Sequence, residues 1–246
     1  MKALFQTVIF QPLFNLFVWL SNVTPGHDMG VVIILVTILV RLALWPLSGK
    51  SLDAQKKLAD LQPQISELKV VHKDDKQALA AATMKLYKDN NINPFSSCLP
   101  LLIQLPILLG LYWALSDALS GTHFNFLYSG VNNPGSLNPM AFGFLNLMTP
   151  SIILAALAGL AQFFQARMLT TKRPPVHTTG SKDEELAAAM NKQMMYIMPL
   201  LTIFIGSQLM AGITLYWLVT TLLTILQQHL VFKKHDAANA AAKTVA

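Results

Sequence analysis

Charge is what this chain lacks most. Only 12% of its 246 residues are charged while 53% are hydrophobic, against about 25% charged in soluble domains. That deficit excludes an ordinary water-soluble domain and points to lipid as the solvent. It is also local. No Asp, Glu, Lys or Arg occurs from Ala118 to Ala166, from Gln193 to Phe232, or from Asn90 to Ser116, and Met29 to Gly49 carries Arg41 as its single charge. A bilayer core needs about 20 apolar residues per helix, and each gap is long enough. Cysteine is reduced to Cys98, which excludes an internal disulfide, and its apolar surroundings read it as a small packing residue. No small-residue cleavage site follows the apolar start of the chain, so no cleaved secretory signal is expected, nor is an Arg- and Ser-rich transit segment.

The patterns of chemistry are missing as well. His27, His72, His123, His177, His229 and His235 are scattered without metal-ligand spacing. There is no HExxH, no GxSxG and no GxxxxGK[ST]. The apolar gaps hold neither an acid nor an activated nucleophile. Accordingly no catalytic residue, metal or cofactor is expected, and the chain does not read as an enzyme. It has no clear inverted repeat of the kind many transporters use.

What is present is an all-α polytopic membrane protein. Five transmembrane helices are expected, at residues 28–48, 94–117, 144–168, 193–208 and 209–232. The charge-free stretch 193–232 would be about 60 Å long as one helix, twice a bilayer, so it must fold back near Gly206–Gly212. Asn93–Pro94 supplies an N-cap and a first helical residue for the second span. Sixteen of the eighteen bases fall in three segments, Lys50–Lys88, Arg167–Lys192 and Lys233–Lys243, whereas 21–29, 118–143 and 206–212 have none. With five spans the basic segments share one side, which the positive-inside rule makes cytoplasmic. The N-terminus then lies outside and the C-terminus in the cytoplasm.

The remaining segments follow. Residues 1–27 carry a polar stripe, Thr7, Gln11, Asn15 and Asn22, on an otherwise apolar helix, and Pro12 would kink a span there. An amphipathic helix in the outer interface is the preferred reading, a sixth marginal span the alternative. Residues 49–93 hold eight lysines and six acids. Leu58, Leu61, Ile65 and Leu68 have the spacing of a helix seam, repeated by Leu79, Ala82 and Leu86 after a break at His72–Asp75, with Pro63 bending the first helix. This is read as a mobile cytoplasmic helical hairpin. Residues 118–143 form an outer loop, 169–192 a flexible cytoplasmic loop with a short helix, and 233–246 a tail, Ala-rich and disordered after Lys234.

Arg41 is the most informative residue. A charge at mid-bilayer costs roughly 2.5–3.5 kcal/mol on insertion scales. Snorkelling to the cytoplasmic interface would offset this, but side chains tilt toward the helix N-terminus, here outward. No expected span carries an acid to match it, and Asp117 sits at the outer end of its helix. A water-holding recess between helices is the reading carried forward, with snorkelling as the plain alternative. Gln104 between Pro100 and Pro106, Gln162 and Gln165, and Thr214, Thr220, Thr221 and Thr224 support a wet, positive pocket, although each is equally a helix-to-helix hydrogen bond.

These residues also resemble a known family. ILVRLALWPLS (38–48), LQPQISELK (61–69), LYKDNNINPFSSCLPLLIQLPILLGLYWAL (86–115) and ITLYWLVTTLLTILQQHLVFKK (213–234) are similar to the YidC membrane protein insertases and their mitochondrial and chloroplast relatives. The resemblance implies five helices around a hydrophilic groove open to the cytoplasm and to lipid but closed outside. It implies a groove lined by Arg41, Gln104, Gln162 and Trp217, in which Arg41 attracts acidic residues of a client. Helices three and five would form an apolar slide for the client's own span. It implies nascent client membrane proteins and membrane lipid as partners, with the ribosome and the Sec translocon as further ones, in the bacterial plasma (inner) membrane. No sequence-specific nucleic-acid binding is expected. The large outer domain of Gram-negative members and the lipoprotein-type start of many Gram-positive ones are not in this sequence, which is either a minimal form or a trimmed chain. Three lysines in the tail argue against ribosome binding through it. The rival from another class is a small anion transporter or channel using Arg41 as the ion site.

Overall fold

The computed structural model describes residues 2–73, 75–93, 99–169 and 193–245. Pro94, Cys98 and the loop 170–192 lie outside the described residues, and so do the expectations placed on them. The chain is nearly all helical and divides into two compact units, one built from Met1–Trp45, Leu101–Gln162 and Leu200–Leu223, the other from Pro46–Pro100, Phe163–Pro199 and Thr224–Ala246.

The first unit begins with α1 (Lys2–Phe5), a π-helical turn (Gln6–Phe10) and α2 (Gln11–Val23). Pro12 has no N–H for the carbonyl four residues back. The chain widens one turn just ahead of it, and the Gln11 N–H bonds the Gln6 carbonyl instead. Phe14, Phe17 and Val18 are fully buried. Thr7 of the polar stripe is exposed, but the other three residues bond the backbone of a distant segment. Asn15 is itself buried; its amide donates to the Phe126 carbonyl at 2.9 Å and its oxygen accepts from the Tyr128 N–H at 2.6 Å. Gln11 also donates to Phe126, at 3.1 Å, and Asn22 donates to the Asn132 carbonyl at 2.8 Å. The stripe satisfies the backbone of the connecting segment 121–134, which has no helix or sheet long enough to satisfy itself.

Asp28 caps α3 (Met29–Ala43), accepting from the Gly30 and Val31 N–H groups at 2.8 and 3.2 Å, and its other oxygen accepts from the Phe142 N–H at 2.6 Å. The expected first span runs to residue 48; the helix in fact stops at Ala43, with Leu44 at φ −89°, ψ −1°. Pro46 is the cause: it cannot donate to Leu42, and it disfavours helical geometry at Trp45. α7 (Leu99–Ser120) packs on α2 and α3, α8 (Ile152–Leu169) lies beside α9 (Met198–Gly206), and a four-residue turn leads into α10 (Ala211–Val245). The core of the unit joins Phe14 and Phe17, Met29 and Ile33, Leu111 and Leu115, and Ile213 and Tyr216. Small residues let backbones close up, as in membrane bundles: a side chain on Gly206 would meet Ala155 at 3.2 Å, and one on Gly212 would meet Leu115 at 2.4 Å. A two-stranded ribbon pairs Met140–Ala141 with Leu145–Asn146, and the N–H groups of Ala211 and Gly212 bond the carbonyls of Thr149 and Leu147 at 2.9 and 3.0 Å.

In the second unit, α4 (Trp45–Asp60), α5 (Gln62–Val71) and α6 (Lys76–Asp89) follow in order. Pro63 sits in the first turn of α5, and Asp75 caps α6 through the Gln77 and Ala78 N–H groups. Leu61, Ile65 and Ile92 are buried together, with Leu58, Leu86 and Tyr87 around them. Lys57–Asp53 and Lys56–Asp60 are surface pairs one helical turn apart, at 2.8 and 3.1 Å. Ser48 donates to the buried Gln227 amide oxygen at 2.9 Å.

Among the described residues three helices are long and apolar enough to cross a membrane by length and composition, Ile103–Ser120, Ile152–Leu169 and Ala211–Lys234, and the pair Met29–Ala43 and Trp45–Asp60, bent by 70°, makes a fourth if it is one span. α3 and the segment Met195–Gly206 are shorter apolar helices. The tail is not coil: α10 continues to Val245. Alanine is the best helix former, so an Ala-rich stretch joined to an existing helix extends it without a new nucleus.

Candidate functional site

Arg41 occupies the last turn of α3. The truncation at Ala43 therefore changes its setting. It stands not inside an unbroken helix running to residue 48 but at a helix C-terminus, where the summed peptide dipoles present about half a negative charge. That field stabilises a cation and offsets part of its desolvation. The side chain is half-buried.

Across from it is Tyr216, in the second turn of α10 and almost fully buried. The Arg41 guanidinium and the Tyr216 phenol interact electrostatically. Gln104 of α7 donates its amide N–H to the Tyr216 hydroxyl, and Thr220 lies one turn on from Tyr216 on the same face of α10. Pro106 lies inside α7 two residues beyond Gln104, so the carbonyl of Leu102 receives no intrahelical bond from it. Three helices thus bring a cation, a phenol, a carboxamide and a hydroxyl together inside an apolar bundle. Such a cluster can hold a carboxylate or a peptide carbonyl through charge and N–H or O–H donors. It has no group poised for covalent chemistry.

Of the four residues expected at the site, Arg41 and Gln104 meet through Tyr216. Gln162 belongs to a second polar pair: its amide oxygen accepts from the hydroxyl of Thr202, which is buried on α9. Trp217 is half-buried and follows Tyr216 directly, so it points about 100° away around α10; its carbonyl accepts from Thr221 at 2.9 Å. Tyr216 escaped the sequence reading because an aromatic in an apolar run looks like packing. The signal was its spacing: Tyr216 and Thr220 are one turn apart, on one face.

Residues 19–238 match the family model described as "60Kd inner membrane protein". The chain is similar to proteins named "Membrane protein insertase YidC" from Francisella tularensis subsp. novicida (strain U112), subsp. tularensis (strain WY96-3418) and subsp. holarctica (strain FTNF002-00 / FTA). Each is 31% identical over 241 residues, covering 97% of this chain and 38% of the relative. The chain thus spans well under half the length of these relatives.

Proposed function

The chain belongs to the 60Kd inner membrane protein family, the YidC family, and on that premise we propose that it is a membrane protein insertase. It works without a cofactor and without a covalent step. Its clients are nascent membrane proteins, and it sits as a multi-pass protein in the bacterial inner membrane, N-terminus outside and C-terminus in the cytoplasm. The five spans are α3, α7, α8, α9 with the turn before it, and the first part of α10. The ribosome and the Sec translocon are partners in the same proposal.

The observation that carries it is the position of Arg41: a half-buried cation in the last turn of an apolar helix, facing a phenol held by a glutamine. A client acid alone in mid-bilayer costs about 2.5–3.5 kcal/mol. A fixed cation in a low-dielectric setting attracts it more strongly than bulk water would allow. The cation draws the hydrophilic end of a client part-way across, and Gln104, Gln162 and Trp217 line the groove it follows. The client's apolar span then leaves sideways into lipid. The pairing must later break, so a wet, single contact serves better than a bidentate lock. Replacing Arg41 with Ala and measuring insertion of a single-span client with acidic outer residues tests this. Insertion falls at least tenfold if the site acts as proposed; full activity removes Arg41 from the mechanism.

A further inference from the structure

α7 carries Leu105, Leu109, Trp113 and Asp117 at intervals of four, hence along one face of the helix. The first three are about half exposed, and the apolar part of α7 ends at Ser120, one turn beyond Asp117. The face is therefore an apolar track that finishes in an acid where the hydrocarbon finishes. Beside that end the first unit has a recess of about 520 Å³. Phe5, Gln6 and Phe10 of the N-terminal segment form one wall; Leu109, Trp113 and Phe126 face them, with Asp117 and His123 at one end. Phe5 meets Trp113 edge-on at 5.3 Å, and Phe10 meets Phe126 edge-on at 5.9 Å, which fixes the rings as panels.

Asp117 stands at the polar end. His123 Nδ1 is 3.1 Å from its Oδ2, and the Thr122 hydroxyl is 3.3 Å from its Oδ1. These neighbours orient the carboxylate without exhausting it, because it offers about four acceptor positions. His123 is held at φ +62°, a left-handed backbone that a non-glycine residue seldom adopts. No Lys or Arg lines the recess, and none occurs anywhere from Ala118 to Ala166. An anionic headgroup would meet the Asp117 carboxylate with no Lys or Arg to offset it, beside the Gln6 amide and a His123 ring already turned to Asp117. An alkylammonium would meet a carboxylate and the negative faces of several aromatic rings, the environment in which cations bind to π-systems.

We propose that this recess is a binding site for an amine-bearing phospholipid, phosphatidylethanolamine, whose ammonium donates to Asp117 between the rings of Trp113 and Phe126 while an acyl chain lies along Leu109 and Leu105. This site is separate from the Arg41 cluster and stands whether or not the insertase reading does. The amphipathic α1 segment supplies one wall, so lipid also holds that segment against α7.

Native mass spectrometry of the detergent-purified full chain tests it, with phosphatidylethanolamine, phosphatidylglycerol and N-acetylated phosphatidylethanolamine of matched acyl chains as probes. The wild-type protein retains phosphatidylethanolamine about tenfold more strongly than either of the others, the scale of one charge-assisted hydrogen bond. Asp117→Asn brings the three to parity, and Trp113→Ala weakens all of them. Equal retention of the N-acetylated lipid by the wild-type protein overturns the proposal without any variant. So does an Asp117→Asn protein that keeps the preference.

Discussion

Gln104 and Tyr216 are 112 residues apart in sequence, yet the carboxamide of one is hydrogen-bonded to the phenol of the other inside the apolar bundle. The bond locks α7 to the start of α10 and sets the ring that faces Arg41. Tyr216→Phe removes the hydroxyl, leaving the half-buried Gln104 amide to find another partner. The cost is about 1–3 kcal/mol, or a drop in unfolding midpoint of several degrees for a chain of this size, read by thermal unfolding in detergent. Gln104→Leu with Tyr216→Phe costs less than the sum of the two single changes.

The proposed function makes the charge of the cation at the end of α3 its working property. Arg41→Lys keeps the charge but loses the planar fork, so it retains most client insertion, whereas Arg41→Glu repels an acidic client and falls below Arg41→Ala. An assay with clients whose outer residues are neutral compresses these differences. Deleting residues 53–88 abolishes insertion in the same assay if the helical segment serves client capture; unchanged insertion would return attention to solute transport.

Asn15→Leu strips a buried residue of its bonds to Phe126 and Tyr128 and leaves that carbonyl and N–H to other donors and acceptors. Two lost bonds at about 1 kcal/mol each, with the desolvation of the orphaned groups, give roughly 2–4 kcal/mol. Proteolysis should report it first, through faster cleavage between residues 121 and 134.

Two glycines give opposite outcomes. At Gly212 a methyl group would lie 2.4 Å from the Leu115 side chain, so Gly212→Ala overpacks the α7–α10 contact and costs about 1–3 kcal/mol; Leu115→Ala in the same protein recovers part of the loss. At Gly49 the nearest atom, on Gln227, is 3.6 Å away, an ordinary contact inside α4. Gly49→Ala there is neutral or stabilising by up to about 1 kcal/mol. Thermal midpoints of the variants separate the cases.

Asp28 is both cap and clamp. Asp28→Ala exposes the first N–H groups of α3 and releases Phe142, at about 1–2 kcal/mol for the cap. Asp28→Asn keeps an oxygen for the cap and loses less.

Long charge-free runs made the apolar helices legible, because in lipid the only cheap way to bury a backbone is to coil it. The turn Ser207–Met210 falls inside the Gly206–Gly212 stretch that helix length alone singles out. Local chemistry was harder to weigh. Pro46 falls inside the expected span 28–48, yet its missing donor ends the helix three residues earlier and moves Arg41 into a terminal turn. The glutamine and asparagine stripe on α2 has the same periodicity whether it meets water or a neighbouring backbone, and only the coordinates of Phe126, Tyr128 and Asn132 distinguish them. Arg41 and Gln104 stood out as polar residues among apolar ones. Tyr216, the group between them, did not, because a phenol carries its polarity at the tip of a ring.

The bonds that Gln11, Asn15 and Asn22 make to the connecting segment have a consequence for biogenesis. Their acceptors lie 110 to 115 residues further along the chain. At a synthesis rate of ~5–20 residues per second, the earliest helix leaves the ribosome about 5–20 seconds before its carboxamides can be matched. For that interval it must be tolerated by water, headgroups or another protein. The helix made first is among the last to be completed.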